Sequence, residues 1–200
     1  MNHLLWEDWN AGGGPKYPHE KVVQFCFRNY PAEIRPQTQA LDLGCGGGVH
    51  SLFLATEGFQ VTACDISENG VRNTQAGLRS RGLNAPVTVC AMQDISYPPR
   101  SFDLVICIAV LGAAGPTAAK ASLDRLPAMC RPGAKGFFLF EANDDFHATG
   151  DDPLKLHGYS RAEVEDLFLP RFSKVWIDEH TSTYQNGARF QKDWLVTVFF

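Results

Sequence analysis

Ala40-Leu41-Asp42-Leu43-Gly44-Cys45-Gly46-Gly47-Gly48-Val49 decides the fold. Residues 40–43 form a short apolar strand carrying one acid, the next five residues are glycine but for Cys45, and Val49, Leu52, Phe53 and Ala55 follow at helical spacing up to Gly58. That order is strand, turn, helix. Glycines at such a turn let the backbone bend tightly and approach a ligand, while the first amides of the following helix are left unpaired. In an open parallel sheet, ligands bind at this place, beyond the carboxyl ends of the strands.

Outward from the turn the same rhythm repeats. Residues 59–64 read as the second strand, 67–81 as a helix with Ser67 as its cap and Gly82 just past its end, and 87–90 as the third strand. Residues 102–108 are almost continuously apolar, which suits a strand buried on both faces. A helix over 117–130 stops at Arg131-Pro132-Gly133, and 135–141 supplies the fifth strand. Ser160-Arg161-Ala162-Glu163 is a capping box for a helix to about Leu169. Residues 172–183 and 189–200 are then two strands around Gln185-Asn186-Gly187, and an Asn-Gly turn means antiparallel pairing. The expected fold is α/β, a Rossmann-like three-layer sandwich. Its seven-stranded sheet is mostly parallel, with one antiparallel strand from the C-terminal hairpin.

Before the turn, Val22, Val23, Phe25, Cys26 and Phe27 fit one buried helical face that ends at Asn29-Tyr30-Pro31. Residues 1–17, with Ala11-Gly12-Gly13-Gly14-Pro15, read as a mobile, non-helical flap. The polar stretch 142–159 is long for a loop and reads as a lid. One domain over 1–200 is expected, since 200 residues bury a substantial core and are short for two.

Composition narrows the function. Apolar residues are 44% and charged residues 20%, which excludes a disordered or low-complexity chain. Lys plus Arg is 18 against 22 for Asp plus Glu, a formal charge of -4, and no basic patch is visible, so no nucleic-acid partner is expected. The six cysteines lie far apart with no CxxC pair, which reads as buried, reduced thiols in a cytoplasmic protein. Glu7 and Asp8 stand where a signal peptide needs an apolar core, and no run is long enough to span a membrane. The oligomeric state is left open.

Spacing then discriminates between ligands. A dinucleotide fingerprint starting at Gly44 requires glycine at position 49, which is Val49. An acid followed by GxGxG, in Asp42 to Gly48, closely resembles motif I of the class I S-adenosylmethionine-dependent methyltransferases. Asp65 at the end of the second strand, Ser101-Phe102-Asp103-Leu104-Val105 and Arg131-Pro132-Gly133-Ala134 resemble further landmarks of that family. The resemblance implies S-adenosylmethionine as cofactor, with Asp42 attracting the ammonium, Gly44, Gly46 and Gly48 admitting the ligand, and Asp65 holding the ribose. It also implies adenine contacts from Ile66, Met92 and Gln93. Charge-assisted bonds from a carboxylate to two hydroxyls are strong ones, which suits Asp65.

Two positions depart from the family pattern. Ala91 stands where many relatives carry an adenine-binding Asp, and Gly112 where many carry His or another functional side chain. No NPPY or DPPY follows the fourth strand, and no Pro-Cys pair offers a nucleophile for pyrimidine carbon 5. A small-molecule acceptor is therefore expected, methylated by in-line displacement. Trp9, Tyr17, Asn143 and His157 are the candidate substrate or lid residues, with His157 the candidate general base, and no metal is expected. His50 reads as structural. The rival functions are a thiol or oxyanion methyltransferase of the tellurite-resistance type and a non-catalytic S-adenosylmethionine-binding module.

Overall fold

The computed structural model describes residues 3–12, 14–149, 154 and 156–200. Seven strands form one sheet: β1 (Gln39–Leu43), β2 (Gln60–Asp65), β3 (Val87–Val89), β4 (Phe102–Ile108), β5 (Cys130–Glu141), β6 (Lys174–Tyr184) and β7 (Arg189–Phe199). Their spatial order is β3-β2-β1-β4-β5-β7-β6. Only β7 runs against its neighbours, pairing antiparallel with β5 on one side and β6 on the other. The expected α/β sheet and its hairpin are both present. The 185–188 connection turns through positive φ at Gln185, Asn186 and Gly187.

Helices cover both faces. They are α1 (His3–Ala11), α2 (Glu20–Asn29), α3 (Val49–Thr56), α4 (Glu68–Ser80), α5 (Leu111–Ala114), α6 (Pro116–Met129), α7 (Phe146–Thr149) and α8 (Arg161–Phe168). Side chains alternate across the strands as the two-residue period demands. Leu41, Leu43, Val105, Cys107, Phe138 and Phe140 face a core shared with α6 and α8. Ala40, Leu104, Ile106, Phe137 and Leu139 face the core shared with α2, α3 and α4. Both faces of β4 are thus buried, which is why its sequence is apolar without alternation. Asp42 has the parity of Ala40 and therefore points toward α3.

Three expectations change. β5 starts at Cys130, straight after α6, and passes through Pro132 and Gly133 with a register shift between Phe102 and Leu104 of β4. Residues 142–159 contain α7 and are pinned at both ends by pairing of Ala142 with Tyr159, while 150–153 and 155 of the expected lid lie outside the described residues.

The third change is the largest, because the expected non-helical flap holds α1, packed against α4. Its hydrophobic pattern gave no warning: Leu4 and Trp9 are exposed, and its buried residue is Asn10. What fixes it is polar. Glu7 accepts the free amides at the start of α4, from Glu68 at 2.6 Å and Asn69 at 2.9 Å, and the Ser67 hydroxyl at 3.1 Å. Asn73 donates to the Asn10 carbonyl at 2.7 Å. Burial works against the charge on Glu7, yet the Asn69 and Glu68 amides outweigh it and hold the carboxyl below its usual range. An acid at a helix N-terminus satisfies both the orphan amides and the helix dipole.

Candidate active site

The glycine turn after β1 is built by sterics. Gly44, Gly46 and Gly48 have φ of +80°, +50° and +88°. A methyl group on Gly44 would collide with Val110 at the end of β4, and one on Gly48 with Thr74 of α4. The turn therefore packs tightly behind and leaves its front as bare backbone.

A cavity of about 370 Å³ opens along the carboxyl edge of the sheet. Its wall follows the strand order. Gly44, Cys45 and Gly46 come from the turn after β1, Asp65 and Ile66 from the tip of β2, Cys90 and Met92 from the chain after β3, and Ala109 and Val110 from that after β4. Glu141 ends β5, and Gln191 and Asp193 lie opposite it on β7, where Glu141 and Asp193 are cross-strand partners. Trp6, Trp9 and Asn10 of α1, together with Tyr17, His19 and His50, complete the wall.

Asp65 is the tie between the first two strands. One carboxylate oxygen accepts the Gly46 amide and the other the Ser67 amide, both at 2.8 Å. Burial raises its pKa while those amides oppose the shift. Each oxygen keeps a second lone pair for a ligand hydroxyl. Met92 and Ile66 beside it supply apolar surface.

The structure places the expected residues unevenly. Gly44, Gly46, Asp65, Ile66, Met92, Trp9 and Tyr17 line the cavity. Asp42, Gly48, Gln93, Asn143 and His157 do not. Asp42 lies behind the turn, accepts the Ser51 hydroxyl at 2.5 Å, and has its pKa raised by burial to about 7. Gln93 turns toward Asp94, and the exposed Asn143 gives its amide to the Tyr159 carbonyl. His157, the expected base, points outward: its Nε2 is 3.3 Å from Glu163, and its backbone is tied to Gly112. Gly112 carries no side chain because one there would strike the Glu141 carboxylate and the His157 carbonyl.

The polar end of the cavity was missed as an assembly. Glu141, His147, Gln191, Asp193 and His19 converge there, from positions far apart in sequence. His147 is held by Asp145 at 2.9 Å, and Gln191 donates to Asp193 at 2.9 Å. His50 also lines the wall, but its Nε2 accepts the His19 amide at 3.2 Å, and burial lowers its pKa to about 4.

Residues 40–133 match the family described as "Methyltransferase domain". Over that stretch, just under half of the chain, it is similar to this domain, and the sheet order is that of a Rossmann-like α/β fold. Among curated proteins it is similar to a ubiquinone biosynthesis O-methyltransferase of Xanthomonas euvesicatoria pv. vesicatoria. The two are 33% identical over 132 residues, covering 64% of this chain and 54% of that protein. The chain spans about half the length of the curated relatives it matches. Among solved structures, the magnesium protoporphyrin IX methyltransferase of Synechocystis PCC 6803, with S-adenosylhomocysteine bound, covers all of both chains at a TM-score of 0.74 and 17% identity. The [4+2]-cyclase SpnF is also similar, with a TM-score of 0.72, 14% identity, and coverage of 98% of this chain and 94% of that one. These two likenesses show the fold. That one of them is called a cyclase leaves the chemistry to be argued from the site.

Proposed function

We propose that this chain transfers the methyl group of S-adenosylmethionine to a hydroxyl oxygen of a small molecule held between Glu141 and Asp193. The observation that carries the reading is one continuous cavity with two chemically different ends. At one end, bare glycine backbone, a carboxylate with free lone pairs and the apolar Ile66 and Met92 suit an amino-acid moiety, a ribose diol and an adenine. Asp42 backs this end as a buried carboxyl behind the turn, and burial favours its protonated form. At the other end, Glu141, Gln191, Asp193 and His147 offer hydrogen-bonding groups to an acceptor.

Bound there, the cofactor supplies an electrophilic methyl on a sulfonium. In-line attack of the acceptor oxygen on that methyl would form the O–CH3 bond as the S–CH3 bond breaks, its electron pair remaining on sulfur. The acceptor's O–H proton would leave in the same step, with the Glu141 carboxylate as the proton acceptor in the wall. The Trp6 and Trp9 side of the cavity excludes water and holds the partners in line. The named O-methyltransferase relatives favour oxygen over the thiol or oxyanion alternative.

The six unpaired cysteines favour a cytoplasmic setting. Among the described residues, no helix is long and apolar enough to cross a membrane. The acidic charge of -4 speaks against a nucleic-acid substrate. The deciding experiment is a panel of phenols, catechols, amines and thiols incubated with radiolabelled S-adenosylmethionine. Label should pass to hydroxyl compounds. Tight S-adenosylhomocysteine binding with no transfer to any compound would favour a non-catalytic module.

A further inference from the structure

His19, His180 and Asp193 meet although they come from three elements: the cap of α2, the edge strand β6 and its neighbour β7. One potential ligand atom from each lies within 4.8 Å of the other two, and among the described residues no other group of three His, Cys, Asp or Glu side chains gathers so closely. The two imidazoles stand edge to face, with ring centroids 5.9 Å apart. His180 Nδ1 is buried with no hydrogen-bond partner among the described residues, 3.8 Å from Asp193 Oδ2. That separation is too long for a hydrogen bond. It is close to the spacing of two ligands on one ion, about 3.4 Å for tetrahedral bonds of roughly 2.0–2.1 Å.

The surroundings are those of a ligand set. The other ring nitrogen of His180 lies 3.9 Å from the Glu20 carboxylate, which adds negative charge near the cluster without a hydrogen bond. Gln191 steadies Asp193. His19 Nδ1 accepts the Lys21 amide at 3.2 Å, so ligation through Nε2 moves the ring proton to Nδ1 and gives up one long capping bond. Two imidazoles and a carboxylate suit first-row divalent ions, and fit Mg²⁺ or Ca²⁺ poorly. His19 and Asp193 line the cavity and His180 does not, so the cluster borders the cavity.

We propose that His19, His180 and Asp193 bind a first-row divalent ion, Zn²⁺ foremost, with an open position that takes an oxygen of the acceptor. The ion's binding is independent of the methyl-transfer reading; only the acceptor clause rests on it.

The test uses the full chain, stripped with EDTA and titrated with Zn²⁺ in a calorimeter and with Co²⁺ in a spectrophotometer. One equivalent should bind, giving visible d–d bands without near-ultraviolet thiolate charge transfer. His180→Ala, on the edge strand, should weaken binding more than tenfold, as should Asp193→Asn, while His147→Ala keeps it. Circular dichroism shows that each variant is folded. No binding, binding undiminished in His180→Ala, or a thiolate band would overturn the site. Catechol added to the Co²⁺ protein should shift the visible bands, and an unchanged spectrum would overturn the open position. S-adenosylhomocysteine binding, measured separately by calorimetry, fails only if the methyltransferase reading fails.

Discussion

Asp65 accepts the amide of Gly46 at 2.8 Å, so the residue at the tip of β2 also locks the glycine turn that follows β1. Under the proposed function, structure and ligand binding would share one carboxylate. Its second amide, from Ser67, fixes the start of α4 as well.

Asp65→Ala should lower S-adenosylhomocysteine affinity by about tenfold to a hundredfold, since bonds to a charged acceptor are worth roughly 1.5–3 kcal/mol. It should also lower the melting temperature, because two buried amides lose their partner. Asp65→Asn keeps one acceptor oxygen and should recover part of the stability while binding weakly. Calorimetry and thermal melts on both variants separate the two effects. Unchanged binding in both would reduce Asp65 to a turn residue.

Glu7→Ala should free α1. The loss of its bonds to Ser67, Glu68 and Asn69 should cost about 1 kcal/mol, the usual worth of an N-cap. Hydrogen exchange over 3–12 should quicken, and the Trp6 and Trp9 emission should shift, with β1 to β5 unaffected. Exchange as slow as in the wild type would show that α1 is held by other contacts.

These two residues mark the boundary of what the sequence made legible. The sheet, the glycine turn and Asp65 could be read because each depends on neighbours in the chain: a two-residue period, positive φ at closely spaced glycines, a strand that ends in an acid. α1 could not, because its anchors lie about sixty residues away on α4 and its apolar Leu4 and Trp9 stay exposed. The polar end of the cavity was hidden for the same reason, since Glu141 meets Asp193 only through the β5–β7 register. His157 read as a base from its place before Tyr159, yet its ring turns to Glu163. Gly112, an anomaly in the sequence, is explained by the Glu141 carboxylate that fills its side-chain space.

Gly44→Ala and Gly82→Ala form a matched pair. Both glycines have positive φ, +80° and +67°, so each substitution carries backbone strain of about 1–2 kcal/mol. Only at Gly44 would the methyl also meet Val110, whereas the space at Gly82 is open. Overpacking adds roughly 1–3 kcal/mol. Gly44→Ala should therefore be the less stable by that margin and should lose S-adenosylhomocysteine binding, while Gly82→Ala binds normally. Equal melting temperatures would mean that Val110 moves aside.

Asp42 gives the chain a pH dependence of definite sign. In the unfolded chain its carboxyl titrates near 3.9, while in the folded chain burial raises it to about 7, against the pull of the Ser51 hydrogen bond. Between those values the folded state keeps a proton that the unfolded state has lost. Stability from this group is therefore greatest below the lower value, falls as pH rises toward 7, and is level above it, a loss on the order of 4 kcal/mol at most. Asp42→Asn removes the titration and keeps an oxygen for the Ser51 hydroxyl. The variant should be more stable than wild type at pH 8, with the advantage shrinking at pH 5. If the charge draws the ligand ammonium, the same variant should bind S-adenosylhomocysteine more weakly at pH 8. Thermal melts at the two pH values, with and without ligand, measure both effects; a variant whose stability parallels the wild type across that range would show that Asp42 is ionised throughout.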